Sequence, residues 1–192
     1  MNTGHAALCS SPEWTRHLAE EVLPEALAGV PLAGEVLEIG PGYGASTGEL
    51  VRMAGNVTVV ETDEELAAGL AARFPAVTVV HGDGTALPFD AGRFGAVVCF
   101  TMLHHVPSAA GQDALFAEAR RVLAPGGVFA GSDSVGSSGL RDFHRDDTYV
   151  PVDPATLPYR LTAAGFVAAT VTVVEDGHRL TFSARTPGRS AR

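Results

Sequence analysis

Short apolar runs rich in β-branched residues recur along the chain, and each has the length of a buried strand. They lie at 35–39, 57–60, 77–80, 96–100 and 128–131. Helical spacing of apolar residues follows at 64–74 and at 109–123, where Leu115, Ala119 and Val122 share one face. Strands that alternate with helices predict an α/β fold, with a mostly parallel sheet and helices on both faces.

The two ends of the chain differ from this alternation. Residues 12–28 have the pattern of an amphipathic helix ahead of the first strand. Near the other end, strands predicted at 166–174 and 178–185 flank Glu175-Asp176-Gly177, which is a hairpin signal. The last strand is therefore expected to run antiparallel to its neighbour.

The domain organisation follows from these elements. We expect one domain over 1–192, consisting of a helical cap (1–33), a core (34–185) and a short tail (187–192). Within the core, 136–158 is rich in Gly, Ser, Pro and charge, and we interpret it as a long connection or lid.

Two S/T-x-x-E patterns mark predicted helix starts. Ser46 with Glu49, and Thr62 with Glu65, each follow a strand directly and have the spacing of a capping box. Both predict a strand–loop–helix connection.

Composition narrows the class of protein. The 192 residues carry a net charge of −9, and all thirteen basic residues are arginine. The basic stripe of a nucleic-acid binder is absent, so no nucleic-acid partner is expected. No apolar run reaches the ~18 residues of a membrane span, and the first residues lack the pattern of a secretory signal. Cys9 and Cys99 form no disulfide framework, so we expect a cytoplasmic protein without a membrane partner.

A glycine-rich loop follows the first strand. Gly40, Gly42 and Gly44 stand between that strand and a helix, where free backbone N–H groups and close approach of the backbone suit an anionic group. Together with Ala45, the run also satisfies the loose dinucleotide pattern, and Glu61 lies where a ribose would be bound. These residues alone leave NAD and S-adenosylmethionine equally open.

Charge favours the second cofactor. Glu38, Glu61 and Asp83 follow or end three successive strands, and ligands of open α/β sheets bind at those ends. Carboxylates suit the cationic S-adenosylmethionine and are poorly matched to a pyrophosphate. A nicotinamide-dependent oxidoreductase is the alternative, although a catalytic Tyr-x-x-x-Lys pair is impossible without lysine.

Five motifs in order carry a resemblance to a known family over roughly 34–185. They are VLEIGPGYG, VVETD, GDGTALPF, RFGAVVCFTMLHHV and RVLAPGGVF. The chain resembles the class I S-adenosylmethionine-dependent methyltransferases, specifically their small single-domain members that act on small molecules. The resemblance implies a Rossmann-like, doubly wound sheet of seven strands with the last antiparallel, and S-adenosylhomocysteine as the product.

The resemblance also implies contacts to the methionine and ribose portions of the cofactor. The backbone of Gly40, Gly42 and Gly44 is expected to meet the methionine portion, and Glu38 its amino group through water. Glu61 is expected to accept hydrogen bonds from the ribose hydroxyls.

Further expectations concern the adenine and the transferable methyl group. Thr62 would pack beside the adenine, Asp83 would bind its amino group, and the Gly84 N–H would bind a ring nitrogen. Phe100 and Thr101 would lie beneath the cofactor near the methyl group. The alternatives are a turn-capping role for Asp83 and a core position for Phe100.

Three residues are candidates for catalysis. His104 and His105 follow the fourth strand, and a neutral imidazole can remove a proton from an acceptor near pH 7. Asp133, after the fifth strand, is a further candidate base or acceptor anchor. His144 lies within RDFHRDD (141–147), whose spacing defines no metal site, so we assign no metal ligand and expect a charged lid face.

The function expected from these features is methyl transfer from S-adenosylmethionine to O, N or C of a small-molecule acceptor by in-line displacement. The acceptor pocket is expected between the N-terminal helix, 136–158 and the histidine loop. A non-catalytic module that binds the cofactor is the remaining alternative, and the sequence does not indicate the oligomeric state.

Overall fold

The computed structural model describes residues 2–174 and 177–188. Its strands are β1 Glu35–Ile39, β2 Asn56–Glu61, β3 Thr78–His81, β4 Phe94–Phe100, β5 Leu123–Ser134, β6 Val167–Val173 and β7 Arg179–Arg185. Its α-helices are α1 Thr3–Cys9, α2 Pro12–His17, α3 Leu23–Ala26, α4 Ala45–Met53, α5 Glu64–Arg73, α6 Ala109–Val122, α7 Ser138–Phe143 and α8 Leu157–Ala163. A π-helical turn (Leu18–Val22) joins α2 to α3, and a 3₁₀ turn (Leu103–His105) follows β4.

The strands form one seven-stranded sheet in the order β3-β2-β1-β4-β5-β7-β6. β3, β2, β1, β4 and β5 pair in parallel, whereas β7 is antiparallel to both β5 and β6. The predicted fold class is confirmed, including the antiparallel last strand. The carboxyl ends of β1, β2 and β4 therefore meet at one edge of the sheet.

Alternation along the strands creates two hydrophobic layers. In β4, Val97 faces a layer with α6 and α8, whereas Val98 faces a second layer with the N-terminal helices, α4 and α5. Both valines are fully buried, as period-two side-chain alternation requires in a sheet covered on both faces. Helices thus cover both faces of the sheet.

Two predicted helix caps are wrong. The residue that caps α4 is Gly44, so Ser46 lies inside the first turn of the helix. The Ser46 hydroxyl does not cap the helix but donates to Glu38. At α5 the cap is Asp63, whose Oδ1 accepts from the N–H groups of Glu65 and Leu66 at 2.9 and 3.0 Å. Asp63 therefore provides the side-chain cap at α5, whereas Gly44 begins α4 without a side-chain hydrogen bond.

Strand β5 is longer than predicted. It begins at Leu123, which pairs with Phe94, and the regular pairing resumes only where Ala96 meets Val128. The Pro125-Gly126-Gly127 sequence therefore lies at an irregularity within the strand. The hairpin signal at Glu175-Asp176 lies outside the described residues, as do 189–192 of the expected tail.

Helices near the start of the chain pack against one face of the sheet. α2, the π turn and α3 follow one another over 12–26 without a break, close to the single helix predicted for 12–28. The sequence predicted neither α1 nor α7, the short helix inside 136–158. Across 2–174 and 177–188, no helix combines the length and apolar character that crossing a bilayer requires.

We expect the layer around α6 and α8 to dominate stability. The Phe129 ring is fully buried and lies 5.0–6.0 Å from the rings of Phe116, Phe166 and Phe182. Phe129→Ala should lower the free energy of unfolding by about 3–5 kcal/mol, measured by denaturant titration. Tyr159→Ala, at a side chain that is 76% exposed, is the control and should change it by less than about 0.5 kcal/mol.

Candidate active site

The glycine loop between β1 and α4 has a left-handed backbone. Gly40, Gly42 and Gly44 have φ values of 66°, 56° and 77°, which L-residues other than glycine rarely adopt. A Cβ at Gly44 would lie 2.6 Å from Leu70, and one at Gly40 would lie 2.9 Å from Met102. A Cβ at Gly42 would meet no described atom within 4 Å. The loop therefore packs through two of its glycines and presents open backbone at the third.

Glu61, at the end of β2, is hydrogen-bonded to the backbone of this loop. Its Oε2 accepts the Gly42 N–H at 2.9 Å, and its Oε1 accepts the Asp63 N–H at 3.1 Å. The carboxylate holds the loop in place, and each oxygen keeps a second acceptor position. Its expected contact with ribose stays a prediction.

Glu38 lies beneath the loop and is only 1% exposed. The Ser46 hydroxyl donates to one carboxylate oxygen, and the Thr47 hydroxyl donates to the other at 2.6 Å. Burial raises the pKa of Glu38 to about 7, although the two hydroxyl donors oppose the shift. Glu38 and Glu61 therefore do not form the exposed acidic rim that the sequence suggested, and only Asp83 is exposed.

The larger of two neighbouring cavities has a volume of about 420 Å³ and opens at the carboxyl ends of β1, β2 and β3. Its lining residues are Ile39, Gly40, Val60, Thr62, Gly82, Asp83, Gly84, Thr85, Met102, His105, Val106, Pro107, Ser108, Gly111 and Leu115. Thr62, Asp83 and Gly84, the residues expected around an adenine, thus meet at one cavity. Asp83 also accepts the Thr85 N–H at 2.8 Å, so the turn-capping role is present as well.

A smaller cavity of about 80 Å³ lies on the other side of Gly40. Its lining residues are His5, Cys9, Trp14, Leu18, Gly40, Pro41, Gly42, Tyr43, Ala45, Ser46, Phe100, Thr101, Met102 and His105. Gly40, Met102 and His105 line both cavities, which together run from the end of β3 to the end of β4. Phe100 also packs in the core, and Thr101 has a left-handed φ of 50°.

Of the three candidate catalytic residues, only His105 lines these cavities. His104 is buried, and its Nδ1 lies 2.6 Å from Oδ1 of the fully buried Asp133. Oδ2 of Asp133 accepts the His104 backbone N–H at 3.2 Å. His104 and Asp133 therefore join the loop after β4 to the end of β5, an arrangement that positions His105 and offers neither side chain to a ligand.

The environment of His105 makes it a poor base. Burial, together with the neighbouring His104 and His5 rings, lowers the pKa of His105 to about 3. A general base is most effective when its pKa lies near the working pH. A neutral His105 ring is better suited to accepting a hydrogen bond or binding a cation than to removing a proton.

Sequence reasoning missed Met102 and His5. Met102 separates the two cavities, and its position directly after the fourth strand was the available signal. His5 lies on α1 with its ring centroid 4.8 Å from that of His105. Its position near the start of the chain gave no indication of this contact.

The fold and these cavities define an α/β domain with a crevice at the carboxyl ends of its parallel strands, which is where such sheets bind ligands. The family model described as a methyltransferase domain matches residues 37–131, about half of the chain. A protein of Mycolicibacterium smegmatis named as an S-adenosylmethionine-dependent methyltransferase is 34% identical over 116 residues, which are 60% of this chain and 43% of that protein.

Two further comparisons extend this similarity. Ribosomal RNA small subunit methyltransferase A from Chlorobium chlorochromatii is 42% identical over 65 residues, covering 34% of this chain and 25% of that protein. A SAM-dependent methyltransferase from Aquifex aeolicus superposes with a TM-score of 0.75 at 18% identity, covering 96% of this chain and 98% of that one. The chain spans less than half the length of both curated relatives described here.

The chain belongs to the class I S-adenosylmethionine-dependent methyltransferases. The comparisons support an enzyme that uses S-adenosylmethionine as its cofactor, and they favour this assignment over the nicotinamide-dependent and non-catalytic alternatives. Two features fit such a cofactor: the backbone at Gly42, which no side chain covers, and the cavity of about 420 Å³.

We expect Gly42→Ala to affect cofactor binding more than stability. Gly92 is a matched control, because it has φ 75° and its Cβ would also meet no described atom within 4 Å. Both variants should lose about 1–2 kcal/mol of stability through left-handed strain. Only Gly42→Ala should weaken S-adenosylmethionine binding in calorimetry, by about tenfold or more. Equal cofactor affinities for the two variants would contradict this position of the loop.

The buried Glu38 predicts a pH dependence of stability. The pKa of Glu38 is higher in the folded state than in the unfolded state, so between about pH 4.5 and 7 the folded state keeps a proton that the unfolded state has lost. The free energy of unfolding therefore falls as pH rises through this range. The Glu38 contribution should amount to about 2–3 kcal/mol between about pH 5 and 8. Glu38→Gln should remove this slope in denaturant titrations. Glu20→Gln, at an exposed acid, should retain it.

Proposed function

We propose that the enzyme transfers the methyl group to O, N or C of a small-molecule acceptor bound in a third cavity. This cavity has a volume of about 430 Å³ and shares Trp14 and Thr101 with the smaller of the other two. Its lining residues are Trp14, His17, Val22, Thr101, Ser134, Ser137, Gly139, Leu140, His178 and Arg179. The proposal rests on Thr101, which lines both this cavity and the smaller one and so places a cavity of metabolite size at the end of β4.

Arg179 gives this cavity a chemical preference. Its Nη2 donates to Glu25 at 2.5 Å, whereas its Nε is buried without a hydrogen-bond partner among the described residues. An unpaired buried N–H of a guanidinium is costly, and a carboxylate or phosphate satisfies it with a charge-assisted hydrogen bond. We infer that the acceptor carries an anionic group.

Charge disfavours a polynucleotide acceptor. Besides the net charge of −9, many arginines are already paired with carboxylates, which leaves little basic surface for phosphates. These pairs are Arg52–Glu49, Arg93–Glu35, Arg121–Glu118, Arg145–Asp142, Arg160–Asp113 and Arg179–Glu25. The similarity to the ribosomal RNA methyltransferase covers only 25% of that protein, so it does not outweigh this balance.

For methyl transfer, the main contribution expected of the protein is to position the acceptor. S-adenosylmethionine supplies an activated methyl group on a sulfonium, and the residues around Thr101 would hold the acceptor atom in line with it. Such orientation alone can contribute roughly 7 kcal/mol or more. The buried His104–Asp133 pair would keep the loop that carries His105 in place during the reaction.

Release of S-adenosylhomocysteine tests the proposal directly. The purified enzyme is expected to turn over with pooled small metabolites that bear carboxylate or phosphate groups, and to remain inactive with 30S ribosomal subunits. Methylation of the ribosomal subunits alone would overturn the small-molecule assignment.

Arg179→Gln tests the preference for an anionic acceptor. With an acceptor from the active pool, this variant should lower kcat/KM by about 10- to 100-fold, which is the range for a lost hydrogen bond to a charged group. S-adenosylmethionine affinity should stay unchanged. Glu25→Gln breaks the same ion pair but keeps the guanidinium, so it should retain near wild-type kcat/KM. An equal loss of kcat/KM in both variants would mean that activity depends on the ion pair and not on acceptor binding by Arg179.

A further inference from the structure

Three histidines from separate segments converge at the rim of the smaller cavity. His5 belongs to α1, His105 follows β4 and His144 follows α7. One potential ligand nitrogen from each side chain lies within 4.8 Å of the other two. Their ring centroids are 4.6–5.3 Å apart.

The hydrogen bonds of His144 leave one ring nitrogen available. Its Nδ1 lies 2.7 Å from the Leu140 carbonyl oxygen, which only accepts, so Nδ1 carries the proton. Nε2 is then a lone pair, and it is buried without a hydrogen-bond partner among the described residues. A buried lone pair aimed into a cluster of imidazoles is the arrangement that a metal ion would complete.

His5 and His105 complement this arrangement. Nδ1 of His5 lies 3.3 Å from Oδ2 of Asp147, so its N–H is directed to a carboxylate and Nε2 remains for a ligand. A carboxylate or carbonyl behind a histidine is the usual outer partner of a metal-binding imidazole. No hydrogen bond to the His105 ring occurs within 2–174 and 177–188, and burial keeps that ring neutral.

We propose that His5, His105 and His144 form a binding site for a divalent transition-metal ion, with Zn²⁺ as the best match. Three neutral imidazoles and an open fourth position are typical of zinc. Tetrahedral ligands at about 2.0–2.1 Å lie roughly 3.3 Å from one another, so the ion would draw the three nitrogens closer by modest side-chain rotation.

The position of the site suggests what the metal does. His5 and His105 line the cavity that also contains Thr101 and the glycine loop, so the open coordination position faces the proposed meeting point of cofactor and acceptor. There the ion would polarise an acceptor oxygen, nitrogen or sulfur atom and ease its deprotonation. This catalytic role rests on the proposed function, whereas the binding site itself does not.

Metal binding is measured without cofactor or acceptor, so its outcome is independent of methyl transfer. Protein stripped with a chelator is titrated with Zn²⁺ by calorimetry and with Co²⁺ by visible absorption. We expect one Zn²⁺ per chain and the intense spectrum of tetrahedral Co²⁺. The absence of binding in the micromolar range or tighter would overturn the proposal.

Substitutions locate the site. His105→Phe and His144→Phe keep an aromatic ring but remove a ligand, and each should lower Zn²⁺ affinity by about 100-fold or more. His81→Phe, at an exposed histidine that ends β3 outside the cluster, is the matched control and should bind like wild type. Equal affinity in all of these proteins would place the ion elsewhere and overturn the assignment.

Asp147→Asn provides a second measurement if a ring substitution impairs folding. It leaves the three ligands in place and removes the charge behind His5. The expected result is a loss of Zn²⁺ affinity of about 10- to 100-fold with the fold intact by circular dichroism. Unchanged affinity in this variant would contradict the assignment of Asp147 as the outer partner of a metal-binding His5.

Discussion

The left-handed backbone of the glycine loop is the constraint on which the rest of the site depends. It lets the chain leave β1, turn tightly and enter α4 with its N-terminus above the sheet edge. Gly40 and Gly44 pack against Met102, Leu70 and Phe74 at distances that exclude a side chain. The loop is thereby fixed on both sides, and Gly42 is the one of its three glycines where an added Cβ would meet no described atom within 4 Å.

Buried polar groups hold this loop from below. Glu61 joins the end of β2 to the loop through the Gly42 N–H, and Glu38 joins β1 to the first turn of α4 through two hydroxyls. A third connection, His104 with Asp133, joins the loop after β4 to β5. The carboxylates of Glu61, Glu38 and Asp133 are nearly or fully buried, so they hold the cavity walls in position. The surface that faces a ligand consists largely of backbone and neutral side chains.

The hydrophobic pattern was sufficient to predict the sheet. The fourth strand was predicted at 96–100 and is found at Phe94–Phe100, because a parallel strand buried on both faces produces a continuous apolar run. Helix starts were less predictable. Ser46 has the spacing of a capping residue, yet its hydroxyl bonds to Glu38 on the preceding strand, a contact that local sequence does not specify. The same limitation applies to the three histidines, because α1, the loop after β4 and 136–158 meet only in the folded chain.

The contact between α1 and 136–158 constrains how these two segments can separate. Asn2 caps α1 through its side-chain oxygen while its side-chain nitrogen donates to the carbonyls of Phe143 and Arg145 at 2.8 and 3.3 Å. The two segments are thus joined at their tips by the side chain of one residue. Separating them requires both hydrogen bonds to break, so the start of α1 and the position of 136–158 depend on the same residue.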